Sequence, residues 1–378
     1  MTQASSPALG FAFAIQTAKS SPVTDLADFH RMRVVTANIG NQQAMERLPQ
    51  EVGGGYHTGG SFKTFVAGAG QVRALARLEN DIGYLLWALL GAPEASGTSA
   101  VDGYKTTFKP VDDFCAHPWM SVRKMIPSCE SNDYYLGESL TDAKLSTMQF
   151  TLAPGAPGIM DLSMLSIGAA FSEASDAITW EAGMEAYENT ESVIMPTVAG
   201  AGVILSALTG VDLGGGEATA YSVPSVAMQF GIQNRLSGDG VRPELIIGQL
   251  GMDDNVLVGQ EMVFSATYKW RDTSLYKAVY ARTATGVGSQ PTSTVLRDEV
   301  TIRLRSPRTW NSLPEQLEVV LTNCTLECPG GIQLTGGEFV TAQIVGRAEL
   351  QATPSAYATI NLRNGTAYPG VAYTAGSI

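Results

Sequence analysis

The chain has 378 residues, 44% hydrophobic and 16% charged, with 40 Gly and a net charge of -12. That length suits about two domains, and the composition excludes the polar, highly charged class of disordered chains. The acidic balance excludes a surface that grips nucleic acid, which takes clustered Lys and Arg, but not a surface that DNA slides past.

Abundant Gly, with many Thr, Ser and Val, suits short strands joined by tight turns, so a mainly β fold is expected. The N-terminus lacks the charged and apolar regions of a secretory signal, and only four Cys occur, Cys115, Cys129, Cys324 and Cys328. Assembly in a reducing cytoplasm is the expectation.

In chain order, "RMRVVTANIGNQQ" (31–43) reads as a strand ending in a Gly-Asn turn. "QVRALARLE" (71–79) alternates, with Gln71, Arg73 and Arg77 on one side and Val72, Ala74, Ala76 and Leu78 on the other. That is a strand, and it leads directly into "ENDIGYLLWALLGA" (79–92). There Asn80 is a candidate N-cap, Asp81 an acidic first turn and Gly91 a C-terminal cap. Ile82, Leu85, Leu86 and Leu89 share one face, which predicts an amphipathic core helix. The run is shorter than the roughly 20 apolar residues of a membrane span. Strands follow at 119–126, 143–155 and 159–168.

The same order recurs. "SVAMQFGIQNRLSGDG" (225–240) and "EMVFSATYKW" (261–270) are strand patterns, Asp272 is a candidate N-cap, and "TSLYKAVYA" follows at helical spacing. Strands at 298–307, 315–330 and 338–350 complete the second set, and "AYATINLR" adds one more near the end. In both halves the order is strand, strand, helix, then three strands, the last two forming a hairpin-like pair, which points to internal duplication. Between the halves, 171–192 is acidic, and "VIMPTVAGAGVILSALTGV" (193–211) is an uncharged stretch of weak membrane drivers, expected as a buried connector.

Chemistry-bearing constellations are sparse. His30, His57 and His117 stand at no metal-binding spacing and are expected as surface or packing residues. Cys324 and Cys328 fall four apart on a predicted strand, about 13 Å at the usual rise, too far for a disulfide. The glycines of "VAGAGQV" (66–72) and "VAGAGVIL" (198–205) complete no phosphate-binding motif and read as flexible linkers. Asp253 and Asp254 lack the alternating ligands of a calcium loop and read as a turn before a strand. The sequons at Asn323 and Asn364 carry meaning only in a secreted chain. No catalytic, cofactor-binding or metal residue is assigned, so a non-enzymatic structural protein is expected.

The passages "RLENDIGYLLWALLG", "DGYKTTFKP", "HPWMSVRKMI", "YYLGESLTDAKLSTMQFTLAPG" and 225–280 resemble the tail tube (major tail) proteins of long-tailed bacteriophages, in the class with two tube domains per chain. The resemblance spans roughly residues 30–350 and rests on element order and short motifs. It does not reach the 42–60 loop or the 171–224 connector. It implies two tandem β domains, 1–195 with an N-terminal arm and connector and 196–378 with a C-terminal tail. Each would be a β-sandwich with one flanking helix that lends four strands to a continuous barrel. It further implies trimeric, pseudo-sixfold rings stacked around a tape-measure protein, tail terminator and tail-tip or baseplate partners, passage of double-stranded DNA, and a place in the virion tail. A barrel of more strands than a porin leaves an open bore, and closure across subunits removes sheet edges. Rival expectations are a capsid-decorating or baseplate β-sandwich, or a carbohydrate-binding or carbohydrate-active β protein. The last lacks a close acidic pair for hydrolysis.

Overall fold

A computed structural model describes residues 10–25, 28–48, 60–79, 81–95, 103–110, 113, 117–127, 134–172, 190–205, 221–223, 225–237, 247, 252–270, 297–329, 332–333, 340–349 and 357–368. The fold is mainly β. Strands β1 (Gly10–Ile15), β2 (His30–Arg31), β3 (Thr36–Arg47) and β4 (Ser61–Leu75) precede helix α1 (Asp81–Leu90). Then come β5 (Glu94–Ala95), β6 (Tyr104–Phe108), β7 (Met120–Pro127), β8 (Tyr134–Leu152) and β9 (Ile159–Ser172). The connector carries β10 (Gly202–Leu205) and β11 (Tyr221–Ser222). The second half holds β12 (Ser225–Leu236), β13 (Leu257–Lys269), β14 (Arg297–Trp310), β15 (Leu313–Glu327), β16 (Ile332–Gln333), β17 (Thr341–Ala348) and β18 (Ala358–Asn364).

Strand pairing follows the same path in both halves, always antiparallel. In the first half β3 pairs with β4, β4 with β9, β9 with β8 and β8 with β7. In the second, β12 pairs with β13, β13 with β17, β17 with β15 and β15 with β14. The halves meet where β8 changes partner. Its first part, to Ala143, pairs with β7, and after a register shift between Leu145 and Thr147 it pairs with β12 from Thr147 to Leu152. A bulge of this kind bends a strand, which lets β8 leave one layer for another. Eight strands therefore run side by side without a break: β3, β4, β9, β8, β12, β13, β17 and β15. A second junction joins β18 to β6, and Arg308 reaches back to Glu79 at 3.1 Å.

One face of this run is the core. Val72, Met160, Leu162, Met148, Phe150, Phe230, Ile232, Met262, Phe264 and Ile344 are buried there. Helix α1 lies against it, with Ile82, Leu85, Leu86 and Leu89 all buried, as the helical spacing predicts. Removing each such side chain from water is worth roughly 1.5–3 kcal/mol. Gly91 ends the helix at φ 105°, its amide donating to the Trp87 carbonyl at 2.9 Å. Asn80, the candidate N-cap, lies outside the described residues, as do Asp272 and the predicted helix at 273–281.

Three expectations need correction. No turn occurs at Gly40–Asn41: β3 stays paired with β4 from Thr36 to Arg47, and Gly40 keeps an extended backbone instead of the positive φ that a tight hairpin turn requires. Residues 66–72 are not a linker but the middle of β4. A Cβ at Gly70 would lie 2.4 Å from Ile39 Cγ2, and one at Gly68 would lie 2.7 Å from Leu140 Cδ2, so these glycines permit close layer packing. Finally, β4 ends at Leu75, not at the helix. The alternation still predicts burial, since Ala76 and Leu78 are inside, while Arg77 makes only an isolated bridge to Val193. In the connector, Val193, Ile194, Val203 and Leu205 are buried, but part of it is strand β10, paired with β14.

Candidate functional site

The residues with chemical potential are dispersed. His30 stacks on Tyr84 with centroids 3.8 Å apart, and burial pushes its imidazole down to about 4. His117, also buried, is pushed down to about 4 by the same loss of hydration. Both are neutral near pH 7 and act as packing groups. Cys324 and Cys328 are free thiols, pushed up by burial to about 12 and about 11, so they stay protonated and are poor nucleophiles. Cys328 sits just past the end of β15 rather than on it. Cys115, Cys129 and His57 lie outside the described residues.

Asp253 and Asp254 occupy a turn before β13. Lys19 Nζ donates to the Asp253 carbonyl at 2.8 Å and sits 3.3 Å from the Asp254 carboxylate. Asn364 is buried, donating to the Leu78 carbonyl at 3.0 Å and the Tyr368 hydroxyl at 2.8 Å, so its sequon is inaccessible in the folded chain. Among the described residues no group of three or more His, Cys, Asp or Glu could hold a metal ion.

What the fold does concentrate is surface. Opposite the core, the eight-strand run presents a second face, because residues directly across a ladder project to the same side. That face carries Asn38, Gln71, Ser163, Thr147, Gln149, Thr151, Gln229, Gln233, Ser265, Thr267 and Gln343. Its charges include two pairs, Arg73 with Asp161 at 2.7 Å and Arg347 with Glu261 at 3.8 Å, and Arg235, Lys269 and Glu327 lie on the same face. Among the described residues the result is a broad, near-neutral, hydroxyl- and amide-rich sheet rather than a basic track for phosphates.

The two ends of β3 and β12 differ. Strand β12 lies between β13 and β8, and its Asn234 is only 2% exposed. The Asn234 amide donates to the Leu89 carbonyl at the end of α1 at 2.9 Å and to the Leu145 carbonyl at 3.4 Å, while Gln260 donates to Asn234 at 2.8 Å. These amides satisfy a carbonyl that the helix end leaves open.

Strand β3, its counterpart, pairs with β4 alone among the described residues. Beyond Gly40 it projects with β4 as a ribbon past β9, whose ladder with β4 begins at Gly68. Met45 is 63% exposed and Phe62 46% on that ribbon. Beside the β3 edge lies a cavity of ≈ 580 Å³, lined by Ile39, Asn41, Gln43, Lys124, Glu138 and Leu140 among others. Lys124 pairs with Glu138 and donates to the Ile39 carbonyl at 2.8 Å. Sequence reasoning missed this ribbon by placing a turn at Gly40. The available signal was Asn41, Gln43 and Met45 alternating past that glycine.

Among the described residues, the polar face of the sheet and the edge of β3 that pairs with no second strand are the surfaces that stand out. No protein-family model matches the chain, and no curated protein matches it.

Proposed function

We propose that the chain is a structural subunit of a bacteriophage tail tube, without enzymatic activity. In this reading residues 1–195 and 196–378 are two related tube domains, three chains close a pseudo-sixfold ring, and rings stack into a hollow tube in the virion tail after assembly in the host cytoplasm. The tape-measure protein fills the bore first, and double-stranded DNA later passes without specific binding. Tail terminator and tail-tip or baseplate proteins cap the ends.

The observation that carries the reading is the continuous run of eight strands, built as two sets of four with the same pairing path and ending at an open edge on β3. An exposed edge of this length is a template for further pairing, and closed symmetric assembly removes it. The neutral face supports the conduit role, since a basic lining would hold the DNA backbone through counterion release. The net charge of -12 acts in the same direction.

Negative-stain microscopy of the purified protein tests this. Trimeric rings or long hollow tubes are the expected result. Monodisperse monomers at high concentration, with no polymer after seeding, overturn it.

A further inference from the structure

Equivalent rows can be read across the two halves from their registers. In the first half a core row runs Ile39, Gly70, Met164, Leu145. Its counterpart runs Phe230, Phe264, Gly346, Leu326. On the polar face, Asn38, Gln71, Ser163, Thr147 matches Gln229, Ser265, Val345, Glu327. The same offset aligns "IGNQQAM" (39–45) with "FGIQNRL" (230–236), keeping the glycine and the first glutamine in place. Gln42 then stands where Gln233 stands, Gln43 where Asn234 stands and Met45 where Leu236 stands.

Their surroundings are opposite. Asn234 and Leu236 are buried because β8 and α1 cover them, while Gln42, Gln43 and Met45 are exposed. Inside the chain Gln233 lies across from Thr147, and Thr147 corresponds to Glu327, the exposed last residue of β15. We infer that the open edge of β3 receives the end of β15 from a second copy of this chain, with Gln42 opposite Glu327. The seam that joins the halves within one chain is thereby repeated between chains. The inference rests on the tube reading and adds its register.

Two features fit this occupant. The Gln42 amide can donate to the Glu327 carboxylate across an antiparallel pair. Gln43, equivalent to Asn234, comes within reach of the Leu326 carbonyl as Asn234 reaches that of Leu145.

The test is a disulfide between copies. Gln42→Cys and Glu327→Cys are combined with Cys328→Ser, the protein is assembled and mildly oxidised, and products are read on a non-reducing gel. Directly opposed residues lie within disulfide range, so covalent dimers and trimers are expected. Asn41→Cys with Glu327→Cys points to the other face and should cross-link roughly tenfold more slowly. Rings or tubes in the microscope without the 42–327 cross-link overturn the register and leave the tube reading intact. Absence of any assembly by the parent protein removes both. A cross-link confined to one chain overturns the inference in favour of the chain covering its own edge. If the paired variant fails to assemble where the parent succeeds, amide exchange of the parent decides. Protection of residues 37–42, the equivalents of the β12 residues that pair with β8, by about tenfold or more on assembly supports the seam, and unchanged exchange there overturns it.

Discussion

Strands β12 and β3 occupy equivalent places in two equal pairing paths, yet β12 lies between two neighbours and β3, among the described residues, pairs on one side only. Phe230 on β12 is 1% exposed and stacks against Phe150 across the seam at 6.4 Å. Met45, further along the equivalent strand, is 63% exposed. Two strands with the same place in their pairing paths thus need not share an environment. A strand of the first half covers β12, and nothing within the described part of the chain covers β3 in the same way.

The largest expected effect separates these strands directly. Phe230→Ala should lower stability to urea by about 3–5 kcal/mol, through lost burial and the cavity left at the seam. Met45→Ala in the unassembled chain should change it by less than about 0.5 kcal/mol. Equal losses at the two sites would mean that β3 is covered within its own chain, and the comparison would fail.

A middle-sized effect concerns the carboxamides. Asn234→Ala removes the donor to the Leu89 and Leu145 carbonyls and strips Gln260 of its acceptor. A cost of about 1–3 kcal/mol is expected from those unsatisfied groups. Gln43→Ala should leave the isolated chain unchanged within about 0.5 kcal/mol and weaken only the assembled state. Urea titration of the monomer beside sedimentation of the polymer separates the two readouts.

The smallest effect lies on β14, beside the end of β15. Asp298, paired in register with Cys324, has its carboxyl pushed up to about 6 by burial, with Glu299 adding repulsion. The folded chain therefore holds this proton more tightly than the unfolded chain. Its contribution to stability is full below about pH 4 and is lost as pH rises through about 6. Asp298→Asn should raise stability by about 1 kcal/mol at pH 8, the figure being discounted for partial exposure, and leave it unchanged near pH 3.5. A gain of the same size at both pH values would exclude the carboxylate as its source.

Much of the fold was legible because burial enforces a period. The alternation at 71–78 placed Val72, Ala74, Ala76 and Leu78 inside, and the helical spacing of Ile82, Leu85, Leu86 and Leu89 did the same for α1. Glycine carried two meanings that the sequence does not separate. In "VAGAGQV" it marks close packing of β4 against Ile39 and Leu140 rather than a flexible joint. At Gly40 it sits in an extended strand rather than a turn. Whether a glycine turns or packs depends on what approaches it, and the approaching residues are distant in sequence.

The sequence by itself determined the class of element, the core faces of β4 and α1, and the repeated order of strands. Those follow from local periodicity, which burial of one face imposes on any strand or helix. Tertiary structure decided the rest: that β8 bends to hand its second part to β12, that amides of the second half cap a helix of the first, and that β3 pairs with β4 alone among the described residues. These are contacts between segments some eighty or more residues apart, or their absence, and no local pattern encodes which edge another strand will cover.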